Sequence, residues 1–201
     1  MDIKNIMKLY KAIQKPLSII AFSCLAISGV QAEDKSPLAV HVGTLPDGPD
    51  ITEDDIRAAQ KLWGDAVVTI GASGEKAKAV ATEAAKTAYS FELGPILFKP
   101  TLVNQKSFRP DLEGTVSYFV AGNPKYSEDK GFALKPWTKV RFENDHVKIF
   151  GNKAIAMGHY YFTEKATGKE KKVEYTKGYV KTKDGRVLLF LQDSSLPYAP
   201  K

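Results

Sequence analysis

Apolar residues recur every three or four positions from Thr52 to Tyr89, and every second position from Trp137 to Asp193. The first spacing is that of one helical face and the second that of a pleated strand. Thr52, followed by Glu53, Asp54 and Asp55, offers the side-chain oxygen and the acids that suit a helix N-terminus. Ile56, Ala59, Trp63, Ala66 and Ile70 continue as one stripe, and Gly71 and Gly74 end it. A second helix is predicted over Glu75–Tyr89, where Ala77, Val80, Ala81, Ala84, Ala85 and Ala88 repeat at helical spacing. Its small side chains allow close packing on a flat surface. From Phe91 the period is lost, and Pro95, Pro100 and Pro110 punctuate the chain. "LFKPTLVNQKSFRP" predicts a short strand and a loop, and "DLEGTVSYFVAG" a short helix before Gly122. Beyond Pro136, strands are predicted at Trp137–Glu143, His146–Phe150, Lys153–Glu164, Lys171–Lys181 and Arg186–Asp193. Gly151-Asn152, Thr167-Gly168 and Asp184-Gly185 are hairpin signals between them. Helices first and an antiparallel meander afterwards predict an α+β fold, with N-terminal helices packed on one face of a curved antiparallel sheet.

The first 32 residues follow neither period. Lys4, Lys8, Lys11 and Lys15 precede the short apolar run "PLSIIAFSCLAISG", and "VQA" before Glu33 fits a small-residue cleavage site. This is the pattern of a secretory signal peptide, too short for a comfortable membrane span of about 20 residues. The expected organisation is a signal at 1–32, a flexible leader at 33–50 and a folded domain at 51–201, in a periplasmic or secreted bacterial protein. Cleavage would carry away four lysines and Asp2, leaving 25 basic against 22 acidic residues, a net charge of +3 in place of +6. That balance does not single out nucleic acid as a partner, and no membrane association is expected after cleavage. Cys24, the one cysteine, leaves with the signal, so the domain is expected to stand on its core without a disulfide. There is no G-x-G-x-x-G, no phosphate-binding P-loop and no G-x-S-x-G, and His41, His146 and His159 are far apart in the chain. No cofactor and no metal site are expected.

The stretch "DGRVLLFLQDSSLPY" raises the question of a site. An apolar strand, Val187–Leu191, turns polar at Gln192, Asp193, Ser194 and Ser195. With Asp184-Gly185 as a two-residue turn, Thr182 pairs with Val187 and Thr176 lies opposite Asp193. With Thr167-Gly168 as another, His159 lies opposite Thr176. His159, Thr176 and Asp193 then form a row across three strands, followed by Tyr161, Glu174 and Ser195, with Met157, Gly178 and Leu191 behind. The opposite face carries Tyr160, Phe162, Tyr175, Lys177, Tyr179, Lys181 and Phe190, a mixture of aromatics and lysines that suits an outer surface half-buried against a partner.

The two helices, "GNKAIAMGHYYF", "VEYTKGYVKTKDGR" and the closing "LQDSSLPY" together resemble the NTF2-like superfamily, in particular its SnoaL-like, polyketide cyclase-like group, from Thr52 to Tyr198. Members often close with histidines before the Ser and Pro; here Gln192 and Asp193 stand in that place. The resemblance implies a cone whose ligand lies between the helices and the concave sheet face, and a homodimer through the other face. It implies a small-molecule ligand but names no reaction, because the fold hosts many functions. His159 and Asp193 are the candidate proton-transfer pair and Tyr161 the candidate oxyanion donor. Thr176, Glu174, Met157, Leu191 and Trp137 are the candidate ligand-binding residues. Two function classes stay open: a cofactor-free acid–base enzyme (isomerase, dehydratase, cyclase or hydrolase), and a non-catalytic ligand-binding or dimerisation module.

Overall fold

A computed structural model describes residues 40–200; the expected signal peptide and the start of the leader lie outside the described residues. Helix α1 spans Glu53–Ala72, and Thr52 caps it through a reciprocal box with Asp55. The Asp55 amide donates to Thr52 Oγ1 at 3.2 Å, while the Thr52 amide donates back to the Asp55 carboxylate at 2.8 Å. Its buried stripe is Ile56, Gln60, Trp63, Gly64, Val67 and Ile70. Helix α2, Ala77–Ala88, buries Ala77, Ala81 and Ala85. Strand β1, Leu97–Lys99, and helix α3, Leu112–Val120, occupy the segment without a regular period.

The remaining strands are β2 (Trp137–Phe150), β3 (Lys153–Glu164), β4 (Glu170–Lys181) and β5 (Val187–Ser195). They form one five-stranded sheet in the order β1-β5-β4-β3-β2. The fold is α+β, as expected, but the sheet is mixed: β1 runs parallel to β5 at the edge, while all other pairs are antiparallel. The two strands expected at 137–143 and 146–150 are one strand with a bulge between Asn144 and His146. Opposite the bulge, a Cβ on Gly158 would lie 2.2 Å from the Glu143 carbonyl oxygen, so glycine permits the close approach. The described end of the leader has no helix or strand, yet it is tied down: Asn152 Nδ2 donates to the Pro46 carbonyl at 2.7 Å, and the Ile51 amide to the Gly151 carbonyl at 3.0 Å.

Both turn-based alignments change in detail. The β3–β4 connection is a longer loop closed by the Glu164 amide donating to the Lys169 carbonyl at 3.0 Å. The register therefore slips by two, and His159 pairs with Glu174 while Met157 pairs with Thr176. An even slip keeps every side chain on its expected face. At the other hairpin Lys181, not Thr182, pairs with Val187, and a bulge near Phe190 absorbs the extra residue. Thr176 opposite Asp193, and Gly178 opposite Leu191, result as expected.

The two faces are exchanged relative to expectation. The face under the helices is Ala154, Ala156, Tyr160 and Phe162 on β3, Val173, Tyr175, Lys177 and Tyr179 on β4, and Leu189, Gln192 and Ser194 on β5, all buried. The face expected to line the cone looks outward, with Met157 49 % exposed. Of the aromatic–lysine set, Tyr160, Phe162, Tyr175, Lys177 and Tyr179 are thus core rather than a partner-facing surface, while Lys181 and Phe190 are partly exposed. The core rings interlock around Tyr160, which stacks on Trp63 at 5.6 Å and on Tyr175 at 5.2 Å and meets Phe162 edge-on at 4.9 Å. Each such pair adds about 0.5–1.5 kcal/mol beyond area burial.

Candidate active site

The outward rows do converge. Met157, His159, Glu174, Thr176, Asp193 and Ser195, with Asp145, line a shallow groove of about 310 Å³. It is not the apolar cleft expected for a general base. Asp193 has 58 % of its side chain exposed and forms an ion pair with Lys99 at 3.1 Å. Ser195 Oγ donates to the Glu174 carboxylate at 3.3 Å. Tyr161 lies outside the groove; the Arg141 guanidinium covers its ring at 3.8 Å and bonds Glu170 at 2.8 and 3.0 Å. Leu191 is half-buried on the same outer face, one row away. Trp137 is the exception among the expected ligand-binding residues: it is buried on the inner side, its indole N–H donating to the Phe132 carbonyl at 2.9 Å.

Beneath the helices a second group of polar atoms has no counterpart in the expected site. Tyr118, in the second turn of α3, buries its hydroxyl in the core without a well-formed hydrogen bond. Thr101 and Leu102, at the start of the loop after β1, lie beside it. Thr101 also neighbours the Tyr160 hydroxyl, which is hydrogen-bonded to Ser194 Oγ and has the Gln192 amide close by. Two phenols and two aliphatic hydroxyls thus converge from α3, the loop, β3 and β5. Thr101 also borders a small crevice of about 10 Å³, which Leu102, Phe132, Trp137, Phe162, Val173 and Leu196 line together with Lys135 and Lys171.

The electrostatics follow from burial. Desolvation pushes the Tyr118 phenol above its usual range. The Tyr160 phenol is pushed up to about 12, burial outweighing its bond to Ser194. Both are neutral at pH 7, each able to give one proton to a hydrogen bond while accepting another. Behind them the Trp63 indole N–H donates to Tyr89 Oη at 2.9 Å, and Tyr89 donates to Gln192 Oε1 at 2.8 Å, which fixes the orientation of the Gln192 amide.

The loop and α3 are held by a buried ion pair. Arg109 is wholly buried and bonded to Asp129 at 3.0 Å, with Tyr126 covering it at 4.3 Å. Ser117 Oγ donates to the same aspartate at 2.6 Å, which ties the turn before Tyr118 into the network. Glu128 accepts the backbone amides of Asn104, Gln105 and Lys106 at 2.7, 3.0 and 2.7 Å, pinning the loop that carries Thr101. Nothing in the period of residues 100–130 announces this, because each contact joins segments far apart in sequence.

The family model for "metal-independent carbonic anhydrase" matches residues 54–196. A protein of that description from Nostoc sp. strain PCC 7120 is 38 % identical over 188 residues, which is 90 % of this chain and 89 % of the relative. The chain belongs to the metal-independent carbonic anhydrase family. That family, and not the SnoaL-like group, is what these matches show. Among solved structures, the iota-carbonic anhydrase from a cyanobacterium complexed with bicarbonate is 38 % identical, with a TM-score of 0.73 over 79 % of this chain and 100 % of that one. An NTF2-like superfamily protein from Salmonella enterica serovar Typhimurium is similar at 10 % identity and a TM-score of 0.43 over 74 % of this chain. The match to the carbonic anhydrase family covers both the outer groove and the inner polar cluster. Among the described residues, no three His, Cys, Asp or Glu side chains gather as a metal-ligand group, and no helix is long and apolar enough to cross a membrane. The residues that sequence reasoning passed over are Thr101, Tyr118, Tyr160, Lys177 and Ser194. No local pattern marks Thr101 or Tyr118, and on the strands alternation groups Tyr160, Lys177 and Ser194 on one face without saying that the helices cover it.

Proposed function

We propose that this chain catalyses the reversible hydration of carbon dioxide to bicarbonate at the buried hydroxyl cluster of Thr101, Tyr118, Tyr160 and Ser194. The observation that carries the reading is the Tyr118 hydroxyl, buried without a well-formed hydrogen bond and linked through neighbouring Thr101 to the Tyr160–Ser194 pair. A buried donor left unmade costs about 1–3 kcal/mol, which a bound oxygen atom would recover. Membership of a family described as carbonic anhydrase, and a relative solved with bicarbonate, supply the substrate class.

The chemistry suits neutral hydroxyls. Carbon dioxide is uncharged and enters past apolar residues such as Leu102, Phe132 and Phe162. A water held by Ser194 and Thr101 adds its oxygen to the carbon. One C=O electron pair moves onto oxygen, and the Tyr118 and Tyr160 hydroxyls donate to the developing negative charge. The water gives up a proton, and the products are bicarbonate and one proton. The stacked rings around Tyr160 keep its donor aimed before the reaction begins, so little reorganisation is needed in the transition state.

Stopped-flow hydration with a pH-indicator dye tests this on the chain as processed by its expression host. Wild-type protein should accelerate acidification above buffer, and Tyr118→Phe should lower kcat/KM by about 10²-fold with an unchanged melting curve. Full activity in that variant, or no acceleration by the wild type, would sink the reading.

A further inference from the structure

Lys177 is the one wholly buried lysine among the described residues, and neither the groove nor the hydroxyl cluster uses it. It lies on the inner face of β4, and its Nζ has no hydrogen-bond partner. The amine stands 3.7 Å from the Trp63 ring centroid, 4.9 Å from Phe142 and 5.4 Å from Tyr160. Its cross-strand neighbour is Gln192, and the next row of the same face is Tyr175 with Ser194. The amine therefore sits one row behind the hydroxyl pair, against the ring of one of its members.

We propose that Lys177 takes up a proton when bicarbonate fills the pocket and loses it when the pocket empties, so that this buried amine is the counter-charge of the bound anion. The proposal rests on the carbonic anhydrase reading of the pocket. Without a ligand nothing balances a charge at this position. The titratable groups that face it are Tyr160 on β3, Tyr175 and Tyr179 on its own strand and Tyr89 after α2. All are phenols raised by burial, hence neutral. Asp55 on α1 is committed to Lys181 at 2.8 Å, and Asp193 faces the outer surface with Lys99. Remaining charges on α1 pair in solvent, Arg57 with Glu53 and Lys61 with Asp65. Burial alone accordingly drives the lysine toward the neutral amine.

An anion one row away reverses the balance. Bicarbonate in a pocket without a cation is itself a buried, uncompensated charge. A proton on Lys177 makes the pair neutral, and the three ring faces favour the ammonium once desolvation is offset. Charge balances around the cycle: carbon dioxide and water enter as neutral molecules, and bicarbonate forms while the amine becomes ammonium. The anion then departs as the ammonium returns its proton to solvent. A lysine kept only as packing would need none of this, and methionine, unbranched and at ease among aromatic rings, would replace it.

Isothermal titration of bicarbonate, in buffers of different ionisation enthalpy near pH 8, reads the linked protons directly. Wild-type protein should take up close to one proton per anion bound, and its Kd should rise about tenfold per pH unit. Lys177→Met should bind with no linked proton and a flat pH dependence. In parallel, wild-type protein carrying carbon-13 at the lysine ε carbons should show one buried lysine moving from the neutral to the charged shift as bicarbonate is added, which keeps the test independent of how the variant folds. Binding without proton uptake, or an unmoved resonance, would overturn the role of Lys177 and leave the pocket standing. An absence of any bicarbonate binding would overturn both.

Discussion

The outer groove and the inner pocket are built from the same strands, and neighbouring residues serve opposite sides. Asp193 points out and Ser194 in; His159 points out and Tyr160 in. The groove has the side chains that look catalytic on paper, a histidine with three carboxylates, yet water reaches them and Lys99 neutralises Asp193. The pocket has only hydroxyls and an amine, yet they are buried, locked by ring stacking and in one case unpartnered. An ordinary hydroxyl in a dry, fixed setting becomes a strong electrostatic element. Environment rather than residue type separates the two regions.

The comparison can be broken at its frame. Asp129→Ala leaves buried Arg109 with only the more distant Glu128 carboxylate, at 3.6 Å, and frees the Ser117 hydroxyl, so unfolding in urea should show a loss of about 3 kcal/mol. An unchanged midpoint would mean that the pocket does not depend on this ion pair. Next in size is the activity loss in Tyr118→Phe set out above, a functional effect without a stability effect. A smaller, pH-dependent effect is expected at the loop. The backbone amides, that of Lys106 foremost, hold the Glu128 carboxyl down to about 2, from 4.5 in an unstructured chain. A depressed carboxyl stabilises the fold above its unfolded pKa and ceases to do so as pH falls through the folded one. The melting temperature of wild type should therefore fall between pH 5 and 2 more steeply than that of Glu128→Gln, and parallel curves would count against the loop clamp. The smallest effect sharpens the comparison from the other side. Asp193→Asn removes a water-exposed charge whose pair with Lys99 is worth about 0–1 kcal/mol, and hydration kinetics should change by less than about twofold. A collapse of activity there would move the chemistry to the groove.

Much of this architecture was legible. The capping box at Thr52, the alanine stripe of α2, the short helix around Tyr118 and the meander all follow local patterns, and the structure contains them. The Thr176–Asp193 pair came out right although the turn did not, because the bulge near Phe190 compensated the extra turn residue. The site was less legible. Alternation separates residues into two faces but does not say which face is covered. Lys177 and Lys181 made the inner face look solvated, and Met157, Leu191 and Ile155 made the outer one look like a floor. The burial of Arg109 has no local signal either, since its partner Asp129 lies 20 residues on.

By itself, then, the sequence determined what short-range physics controls: where backbone hydrogen bonds run, where caps and turns fall, and which side chains share a face. Only the tertiary structure decided which face the helices cover, because that depends on the summed burial of Trp63, Tyr160, Phe162 and their neighbours against the cost of enclosing one lysine. The same choice brought Tyr118, Ser194 and Lys177 together in a buried polar cluster, since a hydroxyl or an amine acquires unusual chemistry only when distant segments close around it and remove the water.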